Sequence, residues 1–256
     1  MSVTVLQEKI RRKKTPVALG LGPAVERVAP GVRRSFEEMY GQGAMADAET
    51  LRYHGCQMLD AAAEQVSAVV LDAAAYLRYG AMGFDVLANL VGAAKARELY
   101  AVVDCRAAAA GPWLAALPQA DAVTVLPYLG ADACAGTPEE RAVFALIATG
   151  NASAPEVQRL ITGDRKLFLA AADQLARAGA ALMLEGGYAL DIRDVRRRLD
   201  KTFLLLSDCT PQAASVAFDD YGHGAALVDG QAQYASDAAA ALRASVAGVK
   251  EWVTVV

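Results

Sequence analysis

Tyr100-Ala101-Val102-Val103-Asp104-Cys105-Arg106-Ala107-Ala108-Ala109-Ala110 is the stretch on which the reading of this chain turns. It opens as a short apolar strand, passes into the polar cluster Asp104-Cys105-Arg106, and ends in four alanines that carry no side-chain chemistry. Apolar runs without alternation belong to strands buried on both faces, as in a parallel sheet flanked by helices. In a barrel of repeated strand–helix units, residues just past the carboxyl end of a strand sit at the reaction mouth. The stretch therefore places Asp104 and Arg106 at such a mouth.

The same pattern recurs on either side. Residues 15–23 read as a buried strand ending in a glycine-rich turn, and residues 67–71 as a second that ends at Asp72. Residues 121–126 are stopped by Pro127, and residues 142–148 form a fifth apolar run. Residues 180–184 end at Glu185-Gly186-Gly187; residues 202–206 and 224–228 complete the set. Between them lie segments with helical spacing of apolar residues, such as Leu51, Met58, Leu59 and Ala62 within 48–65. Eight such units in 256 residues predict an α/β fold, a (β/α)8 TIM barrel, with residues 1–256 as one domain. An open doubly wound sheet is the alternative, but no strand-linked GxGxxG with a following acid supports it.

Composition narrows the partners. There are 25 basic and 29 acidic residues, a net charge of −4, which argues against nucleic acid. The basic run Lys9-Ile10-Arg11-Arg12-Lys13-Lys14 reads as a solvated helix end. Four dispersed cysteines without a CxxC pair, no signal-peptide pattern and no bilayer-length apolar run lead to the expectation of a cytoplasmic protein with no membrane partner. Two histidines, His54 and His223, exclude a multi-histidine metal site; no motif implies a metal or an organic cofactor.

Five segments, in order, resemble the orotidine 5′-phosphate decarboxylases of the longer bacterial branch: VALGLGP (17–23), LRYGAMGFDVL (77–87), VTVLPYLGADA (123–133), FALIATGNASAPEVQ (144–158) and LLLSDCTPQAA (204–214). The resemblance implies the barrel fold, a small-molecule substrate and a homodimer with mouths near the interface. It also implies a third-strand DxKxxD array whose lysine protonates the carbon that loses CO₂. Here Asp104 holds the first acid, Arg106 stands at the lysine and Ala109 at the second acid. Arginine keeps its proton, because its pKa exceeds about 12. The resemblance further places Gly22 at the first-strand acid and Val70 near the second-strand lysine, with Asp72 two residues on. Gln212 matches a phosphate-binding glutamine, whereas Ala213 and Ala214 replace glycines, and no arginine follows the eighth strand. Asp208 and Asp229 are expected near the place of the phosphate.

Asp104 and Arg106 are thus the leading candidates, Arg106 to hold a carboxylate or enolate oxygen and Asp104 to orient it or move a proton; a leftover buried ion pair is the bland alternative. Asp72 is a candidate general base or a helix N-cap. Glu185 is a candidate acid/base. Ser207, Asp208, Cys209 and Gln212, with Tyr128, Thr149 and Asn151, are candidate substrate contacts; Thr149 and Asn151 equally suit a helix cap. Cys209 is a weak nucleophile candidate, and His54 a surface or packing residue. Residues 208–223 suit a lid, with Gly222 and Gly224 at one end. The function expected is a repurposed barrel enzyme, a lyase or decarboxylase or a proton-transfer isomerase or cyclase in biosynthesis, acting on an unphosphorylated carboxylate or enolisable metabolite. A catalytically silent relative that binds a ligand or partner protein is the alternative, and an ordinary orotidine 5′-phosphate decarboxylase the least expected.

Overall fold

Eight strands, all paired in parallel, close into a barrel in a computed structural model that describes residues 2–186 and 188–256. Gly187, expected at the sixth strand's end, lies outside the described residues. The strands are β1 (Val17–Leu21), β2 (Ala68–Asp72), β3 (Tyr100–Ala107), β4 (Ala122–Val125), β5 (Ala142–Ala148), β6 (Ala181–Glu185), β7 (Leu204–Ser207) and β8 (Ala225–Asp229). They neighbour one another in sequence order, and β1 pairs with β8 to close the ring.

Period two along each strand divides the core into two layers. Ala18, Val70, Val102, Phe144, Met183, Leu205 and Ala226 fill the barrel, while Leu19, Val69, Val103, Ala145, Leu182 and Leu204 face the helices. Helix α1 (Ser2–Lys13) adds Leu6 and Ile10 to the inner cluster, both fully buried. Each such side chain contributes about 1.5–3 kcal/mol on burial. The basic end of α1 is a helix carboxyl terminus, where cations suit the dipole. Lys9 donates to the Glu98 carbonyl at 2.6 Å and Lys13 to that of Ala63 at 2.7 Å.

The helices are α2 (Pro30–Tyr40), α3 (Ala44–Ala63), α4 (Ala73–Leu77), α5 (Gly80–Ala96), α6 (Ala110–Ala116), α7 (Ala154–Val157), α8 (Leu167–Arg177), α9 (Ala189–Arg198), α10 (Pro211–Ala214) and α11 (Ala238–Lys250). Two features depart from the sequence expectation. Strand β3 does not stop at Val103 but runs through Asp104, Cys105 and Arg106 to Ala107, so the polar cluster lies within the strand. A two-stranded hairpin, Ile161–Thr162 with Arg165–Lys166, precedes α8, whereas the sequence predicts a helix over 165–178 from its first residue. Among the described residues, no helix is long and apolar enough to cross a membrane.

The connection from β7 to β8 is anchored at the end away from the mouth. Arg196 donates to the carbonyls of Ala217, Thr202 and Gly224, each at 2.6 Å, and Thr202 and Gly224 precede the amino ends of β7 and β8. A Cβ on Gly222 would lie 2.3 Å from the Thr254 carbonyl oxygen. The glycines expected to hinge a lid are therefore held against the barrel's opposite end.

Candidate active site

Four inward positions at the carboxyl ends of strands are polar, each two residues above an apolar one: Asp72 above Val70, Asp104 above Val102, Glu185 above Met183 and Ser207 above Leu205. Register aligns them in pairs, Asp72 beside Asp104 and Glu185 beside Ser207. Together with Asp208 they line a cavity of about 170 Å³ whose floor and wall include Gly20, Gly22, Val228 and Gln233. The mouth is open, not plugged.

Asp104 is 6% exposed and held from two sides. The Thr124 hydroxyl donates to its Oδ1 at 2.6 Å, and Arg106 Nη2 to its Oδ2 at 3.2 Å. The same Nη2 donates to Glu185 Oε1, so one guanidinium nitrogen bridges two strands. Strand β3 shifts register between Val103 and Ala107, and Arg106 adopts a left-handed backbone at φ 44°. A shift of this kind re-aims a side chain beside a site, and the left-handed conformation costs a non-glycine residue energy that its surroundings must offset. The Arg106 N–H donates to Thr124 Oγ1 at 2.8 Å, so one buried hydroxyl fixes both partners.

Asp72 is both a cap and a mouth residue. Its Oδ1 accepts from the N–H groups of Ala74 at 2.9 Å and Ala75 at 3.4 Å, capping α4, and it also lines the cavity. Burial, and then the charge of Asp104, raises its pKa above the ordinary 3.8. Burial likewise raises Glu185 above 4.5; Arg106 opposes this, while Asp104 and Asp208 add to it. Carboxyls lifted by burial in a cleft are suited to hold and release protons.

A second cavity of about 370 Å³ adjoins the first through Asp208, Val228 and Gly230, and is lined by Cys209, Thr210 and Asp229. Asp208 and Asp229 thus face one space. The amides there are already capped: Asp229 Oδ1 accepts from Gln231 and Ala232 at 2.8 and 3.1 Å, and Thr210 Oγ1 from Ala213 at 3.2 Å. Burial pushes the Cys209 thiol up to about 11 and the Cys105 thiol up to about 12, which removes the thiolate that a cysteine nucleophile requires. His223 bonds Arg11 and lies 3.8 Å from Asp219, so it makes no pair with Cys209.

Other candidates line neither of these two cavities, although Thr149 borders a small crevice beside Glu185. Tyr128 is exposed and lines an outer groove with Val157 and Phe168. Thr149 and Asn151 bond each other at 2.5 Å, and Gln158 answers Thr149 from both ends of its amide. These contacts shape their own loop. Gln212 is exposed on α10 and lines neither mouth cavity. His54 is half-buried on α3, as a packing residue would be.

Two mouth residues escaped the sequence reading. Thr124 is the one hydroxyl inside the apolar run of β4, a signal that could have marked it. Gln233 is 6% exposed; it accepts from the Gly22 N–H at 3.0 Å and donates to the Gly230 carbonyl at 3.0 Å. It sits in a single 3-10 turn, Ala232–Tyr234, too short to show periodicity. Among the described residues, no three of His, Cys, Asp or Glu converge as a metal ion would need.

The closed barrel, with helices following its strands, is the (β/α)8 architecture of the orotidine 5′-phosphate decarboxylases. The chain is similar to these enzymes in sequence and in fold. It is 29% identical over 215 residues to the orotidine 5′-phosphate decarboxylase of Thermomicrobium roseum, covering 75% of this chain and 70% of that protein. It is 25% identical over 246 residues to the one from Caldicellulosiruptor saccharolyticus, covering 82% and 80%. Among solved structures, Leishmania donovani OMP decarboxylase superposes with a TM-score of 0.79 at 22% identity, covering 98% of this chain and 97% of that one. The Plasmodium berghei enzyme gives 0.84 at 12% identity, with 97% of each chain covered. No family model matches the chain.

Proposed function

We propose that this chain is a repurposed barrel enzyme that moves a proton on an unphosphorylated, enolisable small molecule, as an isomerase, cyclase or lyase. One observation carries the reading: an open cavity lined by Asp72, Asp104 and Glu185, with Arg106 bridging the last two. Glu185, whose pKa burial raises, is placed to donate. Asp72, also lifted, is placed to accept from the opposite side. Asp104 and Thr124 hold Arg106 over the mouth, where its remaining N–H groups can meet an enolate oxygen as charge develops. Because Asp104 and Glu185 already answer the guanidinium, a substrate carboxylate finds less purchase there than the sequence led us to expect.

Loss of phosphate binding belongs to the same reading. Asp208 and Asp229 face the second cavity, and their neighbours' amides are capped by side chains of this chain. Two like charges about 4 Å apart repel by about 4 kcal/mol at an effective dielectric of about 20. A homodimer and a cytoplasmic location are part of the proposal by relationship to the decarboxylases.

The test is hydrogen–deuterium exchange at carbon, followed by NMR, across unphosphorylated ketones and keto acids. The expected result is exchange on at least one compound, abolished by Asp104→Asn and by Glu185→Gln. Exchange unaffected by both variants, or turnover of orotidine 5′-phosphate, contradicts the reading. An open mouth argues against the catalytically silent alternative.

A further inference from the structure

The turn after β1 is held at Gly22 by both of its backbone polar groups, and both holders come from the 3-10 turn Ala232–Tyr234 that follows β8. The Gln233 amide oxygen accepts from the Gly22 N–H at 3.0 Å, and the Tyr234 hydroxyl donates to the Gly22 carbonyl at 3.4 Å. Gly22 lies just past the end of β1, where a backbone N–H must find its partner outside the ladder. Gln233 is itself locked: it is 6% exposed, and its amide nitrogen donates to the Gly230 carbonyl at 3.0 Å. The Tyr234 ring is covered by the Arg27 guanidinium, whose carbon lies 3.3 Å from the ring centroid. The proton transfer proposed above gives neither Gln233 nor Tyr234 a task.

What the held glycine touches is Asp72. A Cβ on Gly22 would lie 2.7 Å from the Asp72 Cβ, 3.3 Å from its Oδ2 and 3.3 Å from the Ala75 Cβ, so the bare glycine backbone seats on the capped first turn of α4. Asp72 Oδ1 accepts the Ala74 and Ala75 amides, and Oδ2 is the oxygen that the cap leaves, against Gly22 at the edge of the mouth cavity. We infer that Gln233 and Tyr234 are positioning residues: by holding Gly22 from both sides they seat the β1 turn against Asp72 and fix where its Oδ2 meets the mouth. A functional side chain keeps one geometry only when the groups packed on it are themselves held. The inference rests on the reading of Asp72 as proton acceptor and names what sets that residue; neither positioning residue is asked to touch the reacting atoms. The titratable and charged groups that face Asp72 are Asp104 and Arg106 on β3 and the buried Tyr76 phenol on α4, and changing Gln233 or Tyr234 leaves all three in place.

The test is a carbon-13 NMR titration of the aspartate side chains, with the Asp72 signal assigned by its loss in Asp72→Asn. In the wild type Asp72 should titrate above 3.8. Gln233→Met keeps the length of the side chain and removes both of its hydrogen bonds. It should loosen the Gly22 turn, admit water beside Asp72 and bring that midpoint down toward 3.8, because burial is the largest cause of the rise. Tyr234→Phe keeps the ring under Arg27 and loses only the hydroxyl, and should give a smaller fall in the same direction. Asp173, on α8, should titrate as in the wild type in both variants. A part in stability alone would lower the urea midpoint and leave the Asp72 titration where it is. An Asp72 midpoint unchanged in both variants therefore overturns the inference, and where Gln233→Met does not fold, an unchanged midpoint in Tyr234→Phe does so alone. Carbon exchange that survives Asp72→Asn beside a moved midpoint would retire Asp72 as the acceptor and keep the positioning; exchange lost in Asp72→Asn beside an unmoved midpoint would do the reverse.

Discussion

The Thr124 hydroxyl bonds Asp104 at 2.6 Å while accepting the Arg106 N–H at 2.8 Å, so one buried side chain on β4 sets both members of the central pair. Thr124→Val keeps the shape and removes the hydroxyl. It leaves a buried carboxylate oxygen and a backbone N–H short of a partner, at a cost of about 1–3 kcal/mol. Urea denaturation should show that loss, and any exchange activity should fall further than stability alone explains. Wild-type stability in Thr124→Val would mean the hydroxyl holds nothing.

Gly22 and Asp72 compete for one space. A Cβ on Gly22 would fall 2.7 Å from the Asp72 Cβ, closer than two such atoms can approach. Gly22→Ala should therefore destabilise by about 1–3 kcal/mol through overpacking. Asp72→Gly removes the opposing Cβ, and glycine at an N-cap costs only a few tenths of a kcal/mol. The double variant should be more stable than the sum of the single losses predicts. Strict additivity would show that the two residues do not meet.

Asp72 and Glu185 both bind their protons more tightly folded than their ordinary values of 3.8 and 4.5 imply. For a carboxyl raised in this way the folded state holds more protons than the unfolded state between the two pKa values, so stability falls as pH rises through that window. The stabilisation is complete below the ordinary value and lost above the raised one. Glu185→Gln should flatten this decline in a series of urea melts from about pH 4 upward. A decline of the same slope in wild type and variant would contradict the placement of Glu185.

Burial holds the Cys209 thiol at about 11, so at neutral pH only about one molecule in ten thousand carries the thiolate. Iodoacetamide should label Cys209 far more slowly than a free thiol, and Cys209→Ser should leave carbon exchange intact. Rapid labelling, or loss of exchange in the serine variant, would return the cysteine to the chemistry.

The barrel was legible because each strand is an apolar run buried on both faces, a pattern that survives even in an alanine-rich chain. Asp72, Asp104, Glu185 and Ser207 were legible for a related reason, whereas Asp208 reaches the cavities through a left-handed turn just past β7. Strand ends mark the mouth, and period two decides which ends point inward. Tyr128, Thr149, Asn151 and Gln212 lie past their strand ends, where loop geometry decides direction and no periodicity reports it. The length of β3 was hidden because a polar cluster reads as a strand's end, whereas here Thr124 and Glu185 satisfy it inside the sheet. Gln233 depended on a contact across 211 residues of chain, which local pattern does not carry.

The rebuilt mouth is tested most directly by calorimetric titration of the folded protein with uridine 5′-monophosphate, the product of the related decarboxylases. The account predicts no saturable heat, because Asp208 and Asp229 line the cavity in which we propose such a phosphate would have to lie, and Asp229 and Thr210 already cap the amides of Gln231, Ala232 and Ala213. Saturable binding that is lost on adding inorganic phosphate would contradict it and return the chain to the nucleotide enzymes.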